Sequence, residues 1–244
     1  MRRILILGGT AEARALADTL VARGVHVITS LAGRVANPRL PAGEVRQGGF
    51  GGPDGLAAWL RAERIAAVVD ATHPFAARMT AAAAEAAART GVPLLVLRRP
   101  GWREGPGDRW ERVPSLQEAA ARLAPGSRTF LTTGRRSLPV FVPRADVWFL
   151  ARSVDPPEPP IPPNVEVVLD RGPFTVENER ELIRRHRLDT LVTKDSGGPM
   201  TAAKLTAARE LGLRVLMVDR PAPPAGVPTA DTVEAALAWV LGRS

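Results

Sequence analysis

Arg3-Ile4-Leu5-Ile6-Leu7-Gly8-Gly9-Thr10-Ala11-Glu12-Ala13-Arg14 reads as a strand, a glycine turn and the start of a helix. Ile4, Leu5, Ile6 and Leu7 form a branched apolar run that suits a strand buried on both faces, and two glycines let the chain turn before an Ala/Leu-rich helix predicted over 12–23. Such a turn aims free N–H groups outward, and with the positive end of the helix it attracts a phosphate. Against the dinucleotide fingerprint G-x-G-x-x-G counted from Gly8, the third position is Thr10 and the sixth is Ala13. Gly8, Gly9, Thr10, Glu12 and Ala13 are therefore candidate cofactor-binding residues, with the Thr10 hydroxyl as a substitute contact. A tight turn that binds nothing has the same outline.

Working outward, the second strand is predicted over 25–30, followed by Leu31-Ala32-Gly33-Arg34. NAD sites place an acid near this strand's end to hold the ribose 2′-OH, whereas this chain offers Thr29, Ser30 and Arg34. A hydroxyl and a guanidinium favour the 2′-phosphate of NADPH; a solvated loop arginine is the plain alternative for Arg34. Val45-Arg46-Gln47 reads as a short third strand leading to Gly48-Gly49-Phe50-Gly51-Gly52, a loop suited to close approach of a ligand or simply to a flexible turn. A fourth buried strand over 65–70 delivers Asp70-Ala71-Thr72-His73 to the carboxyl edge of the sheet, where ligands bind in doubly wound folds. Asp70 and Thr72 become cofactor candidates. His73 becomes a catalytic candidate, or a helix-entry histidine held by its neighbours.

The stretch 99–113 is irregular, with Trp102 and Trp110 among glycines and prolines, and suits a lid or an excursion at the sheet edge. Ala124-Pro125-Gly126 is the predicted boundary between domains 1–125 and 126–244. The second half repeats the βα grammar, with strands predicted over 128–131, 147–150, 165–169, 188–192 and 215–218. Six prolines fall within 156–163, which excludes regular structure and makes a stiff connection. Thr193-Lys194-Asp195-Ser196-Gly197-Gly198 leads into a helix predicted over 200–211. A lysine, the hydroxyls of Ser196 and Thr201 and two glycines at a helix start make a natural anion cradle, which Lys204 supplements if its side chain runs back along the helix. Lys194 and Lys204 are the only lysines among 33 basic residues, which hints that a compact ammonium is needed there.

The fold class expected is α/β: two Rossmann-like domains with mainly parallel sheets and a cleft between them. The 244 residues, 45% hydrophobic and 24% charged, are ordinary globular composition. No cysteines and three scattered histidines, His26, His73 and His186, give no metal-ligand spacing, so no metal is expected. The net charge of +8 suits an acidic small ligand; without a long basic run or a recognition motif, neither nucleic acid nor membrane is expected as a partner. A cytoplasmic location follows from the lack of a long apolar run or leader pattern.

Taken in order, the Gly8–Arg14 turn, Thr29-Ser30-Leu31-Ala32-Gly33-Arg34, Gly48-Gly49-Phe50-Gly51-Gly52, Asp70-Ala71-Thr72-His73-Pro74-Phe75-Ala76, Arg171-Gly172-Pro173-Phe174, Thr193-Lys194-Asp195-Ser196-Gly197-Gly198 and Lys204-Leu205 resemble the precorrin-6A reductase family across nearly the whole chain. Ala11 departs from the pattern, standing where many members are expected to carry a small hydroxyl residue. The resemblance implies an NADPH-dependent oxidoreductase of cobalamin biosynthesis that adds hydride to one double bond of the precorrin-6A macrocycle, giving precorrin-6B. Anaerobic relatives take the cobalt-containing substrate. It implies that Gly49, Phe50, Arg135, Arg171, Ser196, Gly197, Gly198, Thr201 and Lys204 face a polyanionic tetrapyrrole, that His73 and Lys194 are the candidate acids, and that neighbouring cobalamin-pathway enzymes are the protein partners. The rival readings are a nucleotide-sugar transferase built on twin α/β domains and a noncatalytic dinucleotide-binding redox sensor.

Overall fold

The computed structural model describes residues 2–33 and 40–242. The chain forms two compact units, one from residues 1–100 with 221–244 and one from residues 101–220.

The first unit is built on β1 (Arg3–Leu7), whose Ile4–Leu7 run is buried as its composition demands. It pairs in parallel with β2 (His26–Leu31) and β4 (Ile65–Asp70), placing Leu7 opposite both Ser30 and Asp70. With β3 (Glu44–Gln47), β5 (Leu94–Leu97) and β12 (Thr229–Ala230), the sheet order is β12-β5-β4-β1-β2-β3. Winding reverses at β1, so the loops after β1 and β4 part there and leave room at the carboxyl edge. Helices α1 (Ala11–Ala22) and α8 (Val233–Leu241) cover one face over a core that includes Ile4, Ile6, Leu16 and Leu20. Helices α2 (Gly52–Ala62) and α3 (Ala77–Thr90) cover the other over Leu5, Leu7, Leu56 and Ala86.

The second unit repeats the plan around β7 (Arg128–Leu131). Its neighbours are β8 (Trp148–Ser153), β9 (Val165–Leu169), β10 (Thr190–Lys194), β11 (Arg214–Val218) and β6 (Trp110–Val113), in the order β6-β11-β10-β7-β8-β9, all parallel. Helices α4 (Leu116–Ala121), α5 (Leu138–Phe141), α6 (Val176–Arg185) and α7 (Ala203–Glu210) complete it, with Phe130, Leu150, Leu191 and Leu205 in its core.

The sequence-predicted boundary at 125/126 is corrected. Trp110–Val113 pairs with Val215–Val218, and residues 101–125 belong to the second unit. Thr229–Ala230 pairs with β5, and the helix that follows packs over the core of the first. The Pro125-Gly126 break is a turn inside the second unit, with Gly126 at φ 77°. The irregular 99–113 stretch resolves as the approach to an edge strand. Among the described residues no helix is long and apolar enough to cross a membrane.

Candidate functional site

At the rim of the first unit, the β1–α1 turn is shaped by two close constraints. A Cβ on Gly8 would lie 2.8 Å from Cγ2 of Thr29, and Gly9 sits at φ +113°, which side-chain-bearing residues rarely adopt. Thr10 caps α1: its Oγ1 accepts from the Ala13 N–H at 3.1 Å and donates to the Ala71 carbonyl at 2.8 Å. The expected phosphate contact from the Thr10 hydroxyl is thereby corrected, because both its donor and an acceptor lobe are committed to tying this turn to the end of β4. Thr10→Val should therefore cost about 1–2 kcal/mol in denaturant unfolding through loss of the cap and the buried hydrogen bond. The backbone N–H groups of Gly9, Thr10, Ala11 and Glu12 have no hydrogen-bond partner among the described residues. They stand at the positive end of a twelve-residue helix. Glu12 is held by Arg99 at 2.8 Å, and Ala13 is buried in the core.

Beside this turn, Gly8 N–H donates to the Ser30 carbonyl at 2.9 Å, and Asp70 lies at the carboxyl end of β4 with 1% of its surface exposed. Asp70 Oδ1 accepts from the N–H and hydroxyl of Thr72 at 3.1 and 2.7 Å, while its buried Oδ2 has no partner among the described residues. A buried carboxylate oxygen without a donor is costly unless a ligand or water supplies one. Asp70, Thr72 and His73 line a cavity of about 410 Å³ closed by α3 residues, Arg98 and the proline loop at 221–224. His73 is exposed, and its Nδ1 accepts from the Phe75 N–H at 3.2 Å, which favours the neutral ring with the hydrogen on Nε2. Arg34 lies outside the described residues.

The rim of the second unit gathers the ends of β7 and β10. Lys194 Nζ donates to the Thr133 carbonyl at 2.9 Å and to Ser137 Oγ at 3.0 Å, clamping the two strand ends together. Burial pushes the Lys194 ammonium below its ordinary pKa. Arg135 opens the 3-10 turn after β7 and donates to the Pro156 carbonyl at 3.1 Å. Ser196 folds back on the Lys194 carbonyl, and Gly197 and Gly198 take φ of 66° and 77°. These two left-handed residues and Pro199 delay the helix, so α7 begins at Ala203 rather than Met200, and Thr201 stands in a turn before it. Lys204 consequently lies in the first turn, 4% exposed, with Nζ 5.1 Å from the Trp102 ring centroid. Trp102 in turn donates from Nε1 to the Gly198 carbonyl at 2.8 Å. Arg171 is exposed on the loop between β9 and α6.

Gly49 and Phe50 lie on the loop between β3 and α2, in the first unit, where the Gly49 carbonyl and Phe50 ring hold Arg46. Three features were not singled out from the sequence: Arg46 itself, the buried Arg152–Glu179 ion pair, and Asp195, which accepts from Trp102 N–H at 2.9 Å and from Arg112 at 2.8 Å. For Arg46, Arg152 and Asp195 the one signal available was a charged residue placed in or beside a strand.

The profile of the family described as precorrin-6x reductase CbiJ/CobK matches residues 3–241. A precorrin-6A reductase of Rhodococcus erythropolis is 54% identical over 242 residues, covering 98% of each chain. One of Mycobacterium tuberculosis, strain H37Rv, is 51% identical over 244 residues, covering 99% of this chain and 98% of the relative. A solved structure titled CobK precorrin-6A reductase superposes with a TM-score of 0.94 at 44% identity, covering 100% of this chain and 98% of that one.

Proposed function

Because the chain belongs to the precorrin-6x reductase family, we propose that it reduces one double bond of the precorrin-6A macrocycle with hydride from NADPH, giving precorrin-6B in cobalamin biosynthesis. The observation that carries the cofactor half of this reading is the β1–α1 turn, with four N–H groups that have no partner among the described residues and no acid at the end of β2. NADPH supplies the hydride when bound. Gly8, Gly9 and the first turn of α1 hold the pyrophosphate, Ser30 lies where the ribose is read, and the Asp70–Thr72 pair offers an unpaired carboxylate oxygen to an N–H donor of the cofactor.

In the second unit, Arg135, Arg171, Ser196, Thr201 and the backbone of Gly197 and Gly198 receive the acetate and propionate arms of the tetrapyrrole, with Lys204 bracing Trp102 beneath them. Of the two candidate acids, Lys194 fits proton delivery better: it stands at the end of β10 among the residues assigned to the substrate, and burial lowers the pKa of its ammonium, which makes it a stronger acid than an ordinary lysine. His73, in the lining of the cavity beside Asp70 and Thr72, is assigned to orienting a ligand.

Anaerobic mixing of the chain with NADPH and precorrin-6A tests the reading. Loss of nicotinamide absorbance and a matching change in the corrinoid spectrum are expected, with Lys194→Ala slowing single turnover by about 10²–10⁴-fold. No spectral change on either side overturns the reductase assignment, and an unchanged Lys194→Ala single turnover overturns the proton-delivery role. The family match favours this reaction over the nucleotide-sugar transfer that twin α/β domains would also suit.

A further inference from the structure

Ser30 and Arg46 are partners in the β2/β3 register, so their side chains share one face of the sheet beside the end of β2. Arg46 Nη1 donates to Ser30 Oγ at 2.7 Å and to the Gly48 carbonyl at 3.1 Å, and Nη2 donates to the Gly49 carbonyl at 3.1 Å. The guanidinium lies 3.8 Å from the centroid of the Phe50 ring, which meets Trp59 edge-on at 5.4 Å. The loop that makes these contacts is itself fixed, because Gly55 of α2 lies so close to the Phe50 carbonyl that a Cβ there would overlap it.

Arg46 is thus immobilised by two carbonyls, a hydroxyl and an aromatic face, while its Nε–H and one Nη2–H have no hydrogen-bond partner among the described residues. A guanidinium left with donors on one edge is prepared for the oxygens of a phosphate, and the ordering of the side chain is already complete before the ligand arrives. The Ser30 carbonyl accepts from the Gly8 N–H at 2.9 Å, so this cation stands next to the turn assigned to the pyrophosphate. In doubly wound sheets the end of β2 is where the ribose hydroxyl or its phosphate is read.

We propose that Arg46 is the residue by which the chain distinguishes a 2′-phosphorylated dinucleotide from its unphosphorylated counterpart, gripping the 2′-phosphate with Ser30 beside it. The proposal rests on the assignment of the dinucleotide to the first unit. It also gives the Gly48–Gly52 loop a task at the cofactor, in place of the substrate contact expected from the sequence for Gly49 and Phe50.

The test measures equilibrium affinities of the full chain for NADPH and NADH by nicotinamide fluorescence, with adenosine 2′,5′-bisphosphate and 5′-AMP as competitors. Wild type should favour NADPH and the bisphosphate by ten-fold or more, on the order of one charge-assisted bidentate contact. Arg46→Ala should weaken NADPH by about 30-fold and leave NADH within about two-fold, and Arg46→Lys should fall between, keeping the charge without the fork. If wild type prefers NADPH and Arg46→Ala keeps that preference, the proposal is overturned and the cofactor reading stands. Equal loss of both cofactors in Arg46→Ala and in Arg46→Lys makes Arg46 a structural brace and also overturns it. A wild-type chain that binds both cofactors equally overturns the NADPH reading and this proposal together.

Discussion

Replacing Glu179 by alanine should destabilise the protein by about 3–5 kcal/mol in urea unfolding near neutral pH, the cost expected when one partner of a buried ion pair is removed. Arg152 and Glu179 are 7% and 1% exposed, and the guanidinium bonds both carboxylate oxygens, with Nη2 to Oε2 at 3.1 Å. The guanidinium lies 3.7 Å from the Phe174 centroid and 4.9 Å from that of Phe130, and the buried Lys204 amine bears on the same cluster. Without the carboxylate, a group that does not deprotonate in proteins is left among apolar surroundings with no counter-charge. Glu179→Gln should fall between, since it keeps the shape and one acceptor. The double change Arg152→Met with Glu179→Leu should recover most of the loss, because no uncompensated charge remains. Glu181→Ala supplies the contrast: on the same helix its partner Arg185 and it are 64% and 66% exposed, and the expected effect is below about 0.5 kcal/mol. A Glu179→Ala loss no larger than that of Glu181→Ala would show that water reaches the buried pair.

That pair illustrates what one-dimensional reading can and cannot see. Strands β1, β4 and β7 were legible residue for residue or nearly so, because a parallel strand covered on its faces must be written as an apolar run. The glycine turn, Asp70 at the end of β4 and Lys194 at the end of β10 were legible for the same reason, since they are counted from those runs. Strand β6 was not: Trp110-Glu111-Arg112-Val113 pairs on one side only and carries charges that a central strand would exclude. β12 is two residues long and has no periodicity to detect. The boundary between units was missed because the first unit is closed by residues from the far end of the chain, which no local composition records. Glu179 follows an N-cap threonine and sits among acids in the first turn of α6, where it reads as a solvated partner of the helix dipole. Its burial depends on Arg152 arriving from β8. Arg46 was read as part of a short strand, and its meaning appears only when β3 is set in register against β2.

Lys204 should make stability climb as pH rises from about 7 toward 10. Burial, and then the nearby positive charge of Arg152, lower its pKa from the ordinary 10.5 to about 7, while Glu179 raises it in part. The unfolded chain therefore holds this proton over a range in which the folded chain has released it, and unfolding takes up a proton there, so the folded state gains with increasing pH. The gain is lost as pH falls through the folded value near 7. Its full extent is about 5 kcal/mol. Lys204→Met keeps the unbranched volume beside Trp102 without the titrating amine. The variant should exceed wild type in unfolding free energy by several kcal/mol at pH 6 and match it within about 1 kcal/mol at pH 10. A difference that does not change with pH would mean that the amine keeps its proton through contact with solvent. The two predictions are coupled: with the Glu179 carboxylate gone, the charge that raises the Lys204 pKa is removed while Arg152 still repels the proton. The lower end of the pH-dependent range should move below 7 in Glu179→Ala, which can be read from the same set of unfolding curves.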